Sequence, residues 1–210
     1  SSIPEGVFIF LDNGSDDNYM ENAYLKLKNN SRKWELVRSD NNLGYGGGII
    51  FASQYVKKEY IAWMPGNMKI DPINGFNFVD KINLDNKLTY IKAKRINRPL
   101  IDNIKTKLFG IFASLYFGLY IYDAGGTPNM VHKSFFTLSK YMPVDFSFDV
   151  FVYFYFKFNK LNIIRPEIEY KTRLFGSSHW QNGLISEIKL LFKILKYKKQ
   201  WKKFSVNKYY

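Results

Sequence analysis

The strongest constraint on the fold is an alternation in the first third of the chain. Val7-Phe8-Ile9-Phe10-Leu11 is an unbroken apolar run, the pattern of a strand buried on both faces. Asp12-Asn13-Gly14-Ser15-Asp16-Asp17 stops it with residues that make turns and cap helices. Met20, Ala23, Tyr24 and Leu27 then recur at helical spacing, up to Asn29-Asn30. Trp34-Glu35-Leu36-Val37-Arg38 reads as a second strand. Gly44 to Gly48 opens a helix carrying Ile49, Ala52, Ser53 and Val56. Tyr60-Ile61-Ala62-Trp63-Met64 reads as a third strand, ended by Pro65-Gly66. This order predicts an α/β fold with parallel strands joined by crossover helices. Ligands of such sheets gather beyond the carboxyl ends of the strands. The segments there are Asp12–Asp17, Ser39–Gly48 and Pro65–Asp71, all polar or rich in Gly.

The second half is less regular. Leu88 to Arg95 predicts another strand, leading into a basic segment that ends at Arg98-Pro99. Leu108 to Tyr122 is the longest apolar run. At about 15 residues it falls short of the roughly 20 needed to span a bilayer, so it predicts a buried or interfacial helix. Asp145 to Phe158 is strongly aromatic, and its periodicity does not separate helix from strand. Ile163 to Tyr170 predicts an edge strand, where Pro166 is tolerated.

Composition narrows the chemistry. Lys and Arg number 31 against 18 Asp and Glu, a net charge of +13, which calls for an anionic partner. The absence of Cys excludes a disulfide scaffold, a thiolate metal site and a Cys nucleophile. The two His, His132 and His179, exclude a His-rich metal site and read as core or surface residues. No motif that reads DNA or RNA is present, so nucleic acid is not an expected partner. Ser1 to Glu5 lack the basic-then-apolar pattern of a signal peptide. From Leu184 the character changes. Leu184, Ile188, Leu191, Phe192 and Leu195 share one helical face, with Lys189, Lys193, Lys196, Lys198, Lys199, Lys202 and Lys203 beside Trp201, Tyr209 and Tyr210. This predicts a basic amphipathic tail over 184–210, set either on an anionic membrane or as a packed helix with a solvated end.

Five segments, taken in order, resemble family 2 glycosyltransferases of the GT-A fold. Phe10 to Asp17 is similar to that family's "hVDDGSxD" strand end, and Asn41 to Gly48 to "N-x-G-x-(G/A)-x-A". Glu59 to Pro72 resembles "eyIxxhDxDxxxxP", Phe135-Phe136 falls near "klFrR", and Arg173 to Ser178 resembles "R-x-x-G-x-S". The subgroup with the most similar pattern is the polyprenyl-phosphate type. The resemblance implies a Rossmann-like, mostly parallel sheet flanked by helices over 1–183. The family's opening strand and "P-x-Y-N-E" segment have no counterpart, since only Ser1 to Gly6 precede the first strand. The expectation is therefore a domain short of its first strand–helix unit.

The resemblance also implies a reaction, transfer of a sugar from a nucleotide-sugar donor to a lipid-phosphate or saccharide acceptor with inversion. The setting it implies is the cytoplasmic face of the plasma membrane, in surface polysaccharide or glycolipid assembly. Asp12, Asn13, Ser15, Asp40, Asn42 and Gly44 are the donor-binding candidates on the base and ribose side. The plainer reading of Asp12 to Ser15 is a turn and a helix cap. Asn67, Lys69, Arg95 and Arg173 are candidates for the diphosphate side, and Lys94, Arg98 and Lys133 also qualify. Asp149 matches the Asp of the family's "fD-x-e" segment and, with Asp145, is the candidate general base. Asp123 is a further carboxylate to consider. The metal-binding Asp-x-Asp is replaced by Pro65-Gly66-Asn67, which removes its carboxylates and puts a Mg²⁺ or Mn²⁺ cofactor in question. Three readings follow. Lys69 offsets the diphosphate charge, or Asn67 and Asp71 supply metal ligands, or the chain is a non-catalytic membrane-associated binding module.

Overall fold

The computed structural model describes residues 6–15, 34–66 and 86–170. It also describes the single positions Asn22, Leu25, Ile70, Gly75, Phe76, Phe78, Val79, Ile82, Ile194, Tyr197 and Trp201. The first predicted strands are present, while Met20, Ala23, Tyr24 and Leu27 of the predicted first helix lie outside the described residues. Strand β1 (Phe8–Asn13) pairs in parallel with β2 (Trp34–Ser39), setting Asn13 opposite Ser39. Helix α1 (Gly44–Ser53) follows and leads to β3 (Tyr60–Trp63). Strand β1 is half-buried rather than buried on both faces, and only Asp12 within it is fully enclosed. Among the described residues β1 pairs on one side alone, with β2.

The predicted strand 88–95 is two strands, β4 (Thr89–Lys92) and β5 (Lys94–Ile96). They separate at Ala93, whose N–H makes the last rung toward the β6 side, to the Pro128 carbonyl at 3.0 Å, before Lys94 turns to the Pro166 carbonyl at 2.8 Å. The apolar run forms helix α2 (Leu100–Phe117), offset from the expected 108–122. Pro99 starts it, and Gly118 ends it in the left-handed conformation at φ +69°. Strand β6 (Asn129–His132) leads into a 3-10 helix (Lys133–Tyr141). The undecided aromatic segment is helix α3 (Ser147–Phe158), with ten of its 12 residues buried. A helix enclosed all round carries no polar stripe, so its sequence has no helical period to read. The predicted edge strand is split by Arg165-Pro166 into β7 (Asn162–Ile164) and β8 (Glu167–Glu169).

These strands form a four-stranded sheet in the order β3-β6-β4-β7, and β5 pairs with β8. The β4–β7 and β5–β8 ladders are parallel, as β1–β2 is, while β6 runs antiparallel to both β3 and β4. The third strand thus joins β6 in the larger sheet and does not extend the β1–β2 ladder. Phe148, Phe151, Phe154 and Phe156 of α3 are fully buried, against Tyr90, Phe117 and Phe135 among others. Each such ring contributes about 1.5–3 kcal/mol by burial. From the C-terminal tail, Ile194 and Trp201 lie in this same core, and Trp201 stacks on Phe117 and Tyr197. Trp201 therefore faces the protein and not a membrane.

Candidate active site

Two polar clusters lie at the carboxyl ends of the strands, and helix α1 joins them. The first closes the β1–β2 pair. Asn13 Nδ2 donates to the Gly44 carbonyl at 3.0 Å, while its Oδ1 accepts from Leu43 N–H at 3.1 Å. Ser39 Oγ donates to the Asn41 carbonyl at 2.7 Å, and Asn42 Oδ1 accepts the Gly44 N–H at 2.9 Å. Asp12 accepts the Ser15 N–H at 3.0 Å and pairs with Arg38 at 3.4 Å. The Ser15 hydrogen bond, helped by Arg38, holds the Asp12 carboxyl below its ordinary value despite burial. Two glycines permit this geometry. Gly14 has φ +74°, and a Cβ there would stand 2.5 Å from Asn42 N. Gly44 has φ +76°, and its Cβ would stand 2.6 Å from the Val144 carbonyl oxygen.

The structure thus brings Asp12, Asn13, Ser15, Asn42 and Gly44 together, with Asp40 exposed beside them. Asp12 and Asn13 spend much of their hydrogen-bonding capacity on the chain itself. That is the turn-and-cap role; the exposed Asn42 shares it through its Oδ1, and Asp40 is exposed beside them.

The second cluster caps the four-stranded sheet. Trp63 ends β3 and Lys92 ends β4, while Asn129 begins the antiparallel β6 and is opposite both. One end of the sheet therefore collects all three. Asp149, in the first turn of α3, sits over them and is 7% exposed. It accepts hydrogen bonds from Trp63 Nε1 at 3.0 Å, Tyr45 Oη at 2.9 Å and Asn129 Nδ2 at 3.4 Å. Tyr45 belongs to α1, so this bond ties the two clusters together. Lys92 Nζ donates to the Gly126 carbonyl at 2.9 Å and to Asn129 Oδ1 at 3.3 Å, and Tyr90 Oη donates to the same Oδ1 at 2.6 Å. Burial raises the Asp149 carboxyl above its ordinary range, against the pull of Lys92, Trp63 and Tyr45. Burial also lowers the Lys92 ammonium to about 8, with Asp149 acting the other way.

Beside it lies Asp123, 2% exposed. Arg95 is bound to it through the backbone N–H at 2.9 Å and through Nε at 2.6 Å, and NH2 also contacts Oδ1. Burial alone would raise the Asp123 carboxyl, but the Arg95 charge and hydrogen bonds win and hold it low. Arg165 follows β7 and donates to the Tyr122 carbonyl at 2.7 Å and to Tyr153 Oη at 3.0 Å, with Asp123 at 3.6 Å. Arg98 is 11% exposed and faces Thr106 Oγ1 at 2.7 Å and Asp102 at 3.8 Å. Four largely buried cations, Lys92, Arg95, Arg98 and Arg165, thus stand among three carboxylates, the buried Asp123 and Asp149 and the half-exposed Asp102. Such an excess suits an anionic ligand.

Of the predicted residues, Asp149, Arg95 and Arg98 fall in this cluster, and Asp123 with them. Asp145 sits at the start of α3, where its Oδ1 accepts the Ser147 N–H at 2.9 Å, a capping role. His132 is buried, its Nδ1 facing Ser134 Oγ at 2.8 Å, in line with a core role. Asn67, Lys69, Asp71, Arg173 and His179 lie outside the described residues. Pro65 and Gly66 bring no carboxylate, and the described residues hold no group of three acidic or His side chains placed to ligate a metal. Lys92, Asn129 and Arg165 were missed by sequence reasoning. A lysine closing an otherwise apolar strand, and an Arg-Pro step breaking one, were the signals present.

Several solved structures share this architecture. The chain matches glucosyl-3-phosphoglycerate synthase of Mycobacterium tuberculosis in complex with phosphoglyceric acid at 12% identity and TM-score 0.62. That match covers 90% of this chain and 68% of the synthase. The same enzyme with Mn²⁺, uridine-diphosphate-glucose and phosphoglyceric acid matches at 12% identity and TM-score 0.63, over 91% and 68% of the two chains. Its complex with Mn²⁺, uridine diphosphate and glucosyl-3-phosphoglycerate matches at 12% and 0.62, over 90% and 68%. No protein-family model matches the chain, and no curated protein matches it by sequence. The likeness establishes the fold alone, a mixed α/β fold of the GT-A-like type.

Proposed function

We propose that this chain is a glycosyltransferase of the family 2 type, moving a sugar with inversion from a nucleotide-sugar donor to a lipid-phosphate or saccharide acceptor. The carrying observation is the excess of buried cations at the carboxyl ends of the sheet, within a GT-A-like fold. The structurally similar synthase is described with uridine-diphosphate-glucose and phosphoglyceric acid, a nucleotide sugar and a phosphorylated acceptor. Lys92, Arg95, Arg98 and Arg165 suit the charge of a donor diphosphate or an acceptor phosphate. In this reading Asp40 and Asn42 meet the nucleoside, and Asn67, Lys69 and Arg173 complete the donor contacts. In the step itself, an acceptor oxygen bonds to the anomeric carbon as the bond to the diphosphate oxygen breaks. The nucleoside diphosphate leaves with the electron pair, and nearby cations stabilise it. Asp149 takes the proton where the acceptor is a sugar hydroxyl, while a lipid phosphate is already anionic and needs no base. We read residues 1–183 as the transferase domain, 184–210 as its basic tail, and the inner face of the plasma membrane as its place of work.

Metal dependence follows the loss of the Asp-x-Asp carboxylates. Transfer of labelled sugar from uridine-, guanosine- and thymidine-diphosphate sugars to polyprenyl phosphate or saccharides tests the reading. Turnover that persists in EDTA is the expected result. Complete loss in EDTA, restored by Mn²⁺, contradicts the metal-independent reading. The internal engagement of Asp12 and Asn13 favours a second reading, a binding module without turnover. Absence of both transfer and donor hydrolysis would select it.

A further inference from the structure

Helix α2 turns an apolar face to solvent. Leu100, Ile101, Ile104, Leu108, Ile111 and Leu115 are all exposed, reaching 74% at Leu100 and 80% at Leu115. The opposite face, with Gly110, Ala113 and Phe117, is buried against the protein. At 100° per residue the six apolar side chains fill a stripe of about 100° along the helix. Lys107 borders one edge of that stripe, and Lys105, beyond the half-buried Phe112, borders the other. The helix's acidic residue, Asp102, lies on the far side and faces Arg98. Tyr120 extends the exposed apolar surface just past the helix. Among the described residues, no helix is long and apolar enough to cross a membrane.

We propose that α2 lies in the headgroup layer of an anionic membrane, with the apolar stripe inserted and Lys105 and Lys107 against lipid phosphates. The charge pattern selects this occupant over a second copy of the chain. Self-pairing would set lysine against lysine along both margins, with no carboxylate on the face to answer them. An anionic bilayer supplies apolar and negatively charged layers in the order the helix presents them. The tail is the less suited contact, because its Trp201 is spent in the core. Arg98 stands immediately before α2, so the same placement sets the cation cluster next to the membrane surface. This inference deepens the membrane part of the proposed function without resting on transfer chemistry.

Sedimentation of the full chain with vesicles tests it, using phosphatidylcholine mixed with phosphatidylglycerol against phosphatidylcholine alone. The readout is partition rather than turnover, so failure of the glycosyltransferase reading leaves the result unaffected. The wild type is expected to sediment with the anionic vesicles. The double variant Leu108→Glu/Leu115→Glu should lose at least about tenfold in partition with its melting temperature unchanged. Lys105→Glu/Lys107→Glu should lose the preference for anionic lipid. Wild-type partition by the Leu108→Glu/Leu115→Glu variant, or no partition by the wild type, would overturn the proposal. So would a concentration-dependent dimer in light scattering that this variant dissolves.

Discussion

At the residue scale the account turns on ionisable groups held away from water. Lys92 falls from 10.5 when free to about 8 in the fold. The folded state releases this proton before the unfolded chain does, so stability rises as pH climbs from 8 to 10.5, and that gain is gone once pH falls below 8. Keeping the ammonium charged at neutral pH costs on the order of 3 kcal/mol. Denaturant unfolding at about pH 7.5 and about pH 9.5 should show this rise in the wild type and its absence in Lys92→Met. Asp123 has the opposite chemistry but the same direction with pH. Its carboxyl is held below 3.8, so its stabilisation is full above that value and disappears as pH falls through the folded value. Asp123→Asn leaves Arg95 and Arg165 without their counter-ion and should cost roughly 3–5 kcal/mol at neutral pH. That difference should shrink in unfolding experiments carried below pH 3.8, where the wild type loses the charge too.

At the element scale, the start of α3 separates capping from catalysis. Asp145→Ala should destabilise the fold by about 1 kcal/mol, and Asp145→Ser should restore most of it. Recovery of stability by Ser without recovery of turnover would return Asp145 to the catalytic set. The same elements show what a sequence reader sees. Strands β1, β2 and β3 were legible because their apolar runs stop at Asp12-Asn13-Gly14, Ser39-Asp40 and Pro65-Gly66, and helix α1 because it opens at Gly44. Helix α3 was not, because burial on every side removes the polar face that makes a helix periodic. The β4–β5 break was hidden for another reason. After Ala93 the chain exchanges its pairing with β6 for one with β8, and both partners lie far along the chain. The site divides in the same way. Asp12 to Ser15 and Asn42 to Gly44 announced themselves as local turn chemistry. The Lys92–Asn129–Asp149 network joins residues far apart in sequence, and it depends on burial that no single residue type reveals.

At the scale of the whole molecule, the charge of +13 resolves into places. Lys92, Arg95, Arg98 and Arg165 gather at one end of the sheet, and Lys105 and Lys107 line the apolar stripe of α2. The first set suits diphosphate and the second suits lipid phosphate. The fold positions them in sequence, with Arg98 as the last cation before α2 begins. The central claim, that the cation cluster in this GT-A-like fold serves a nucleotide sugar, is open to a direct measurement. A thermal-shift panel of uridine-, guanosine- and thymidine-diphosphate sugars, each with and without Mn²⁺, reads binding without requiring an acceptor. One donor class should stabilise the chain, by about 2.7 kcal/mol at roughly a hundredfold excess over its dissociation constant, while free sugars do nothing. No stabilisation by any nucleotide sugar, in either metal condition, would contradict the account.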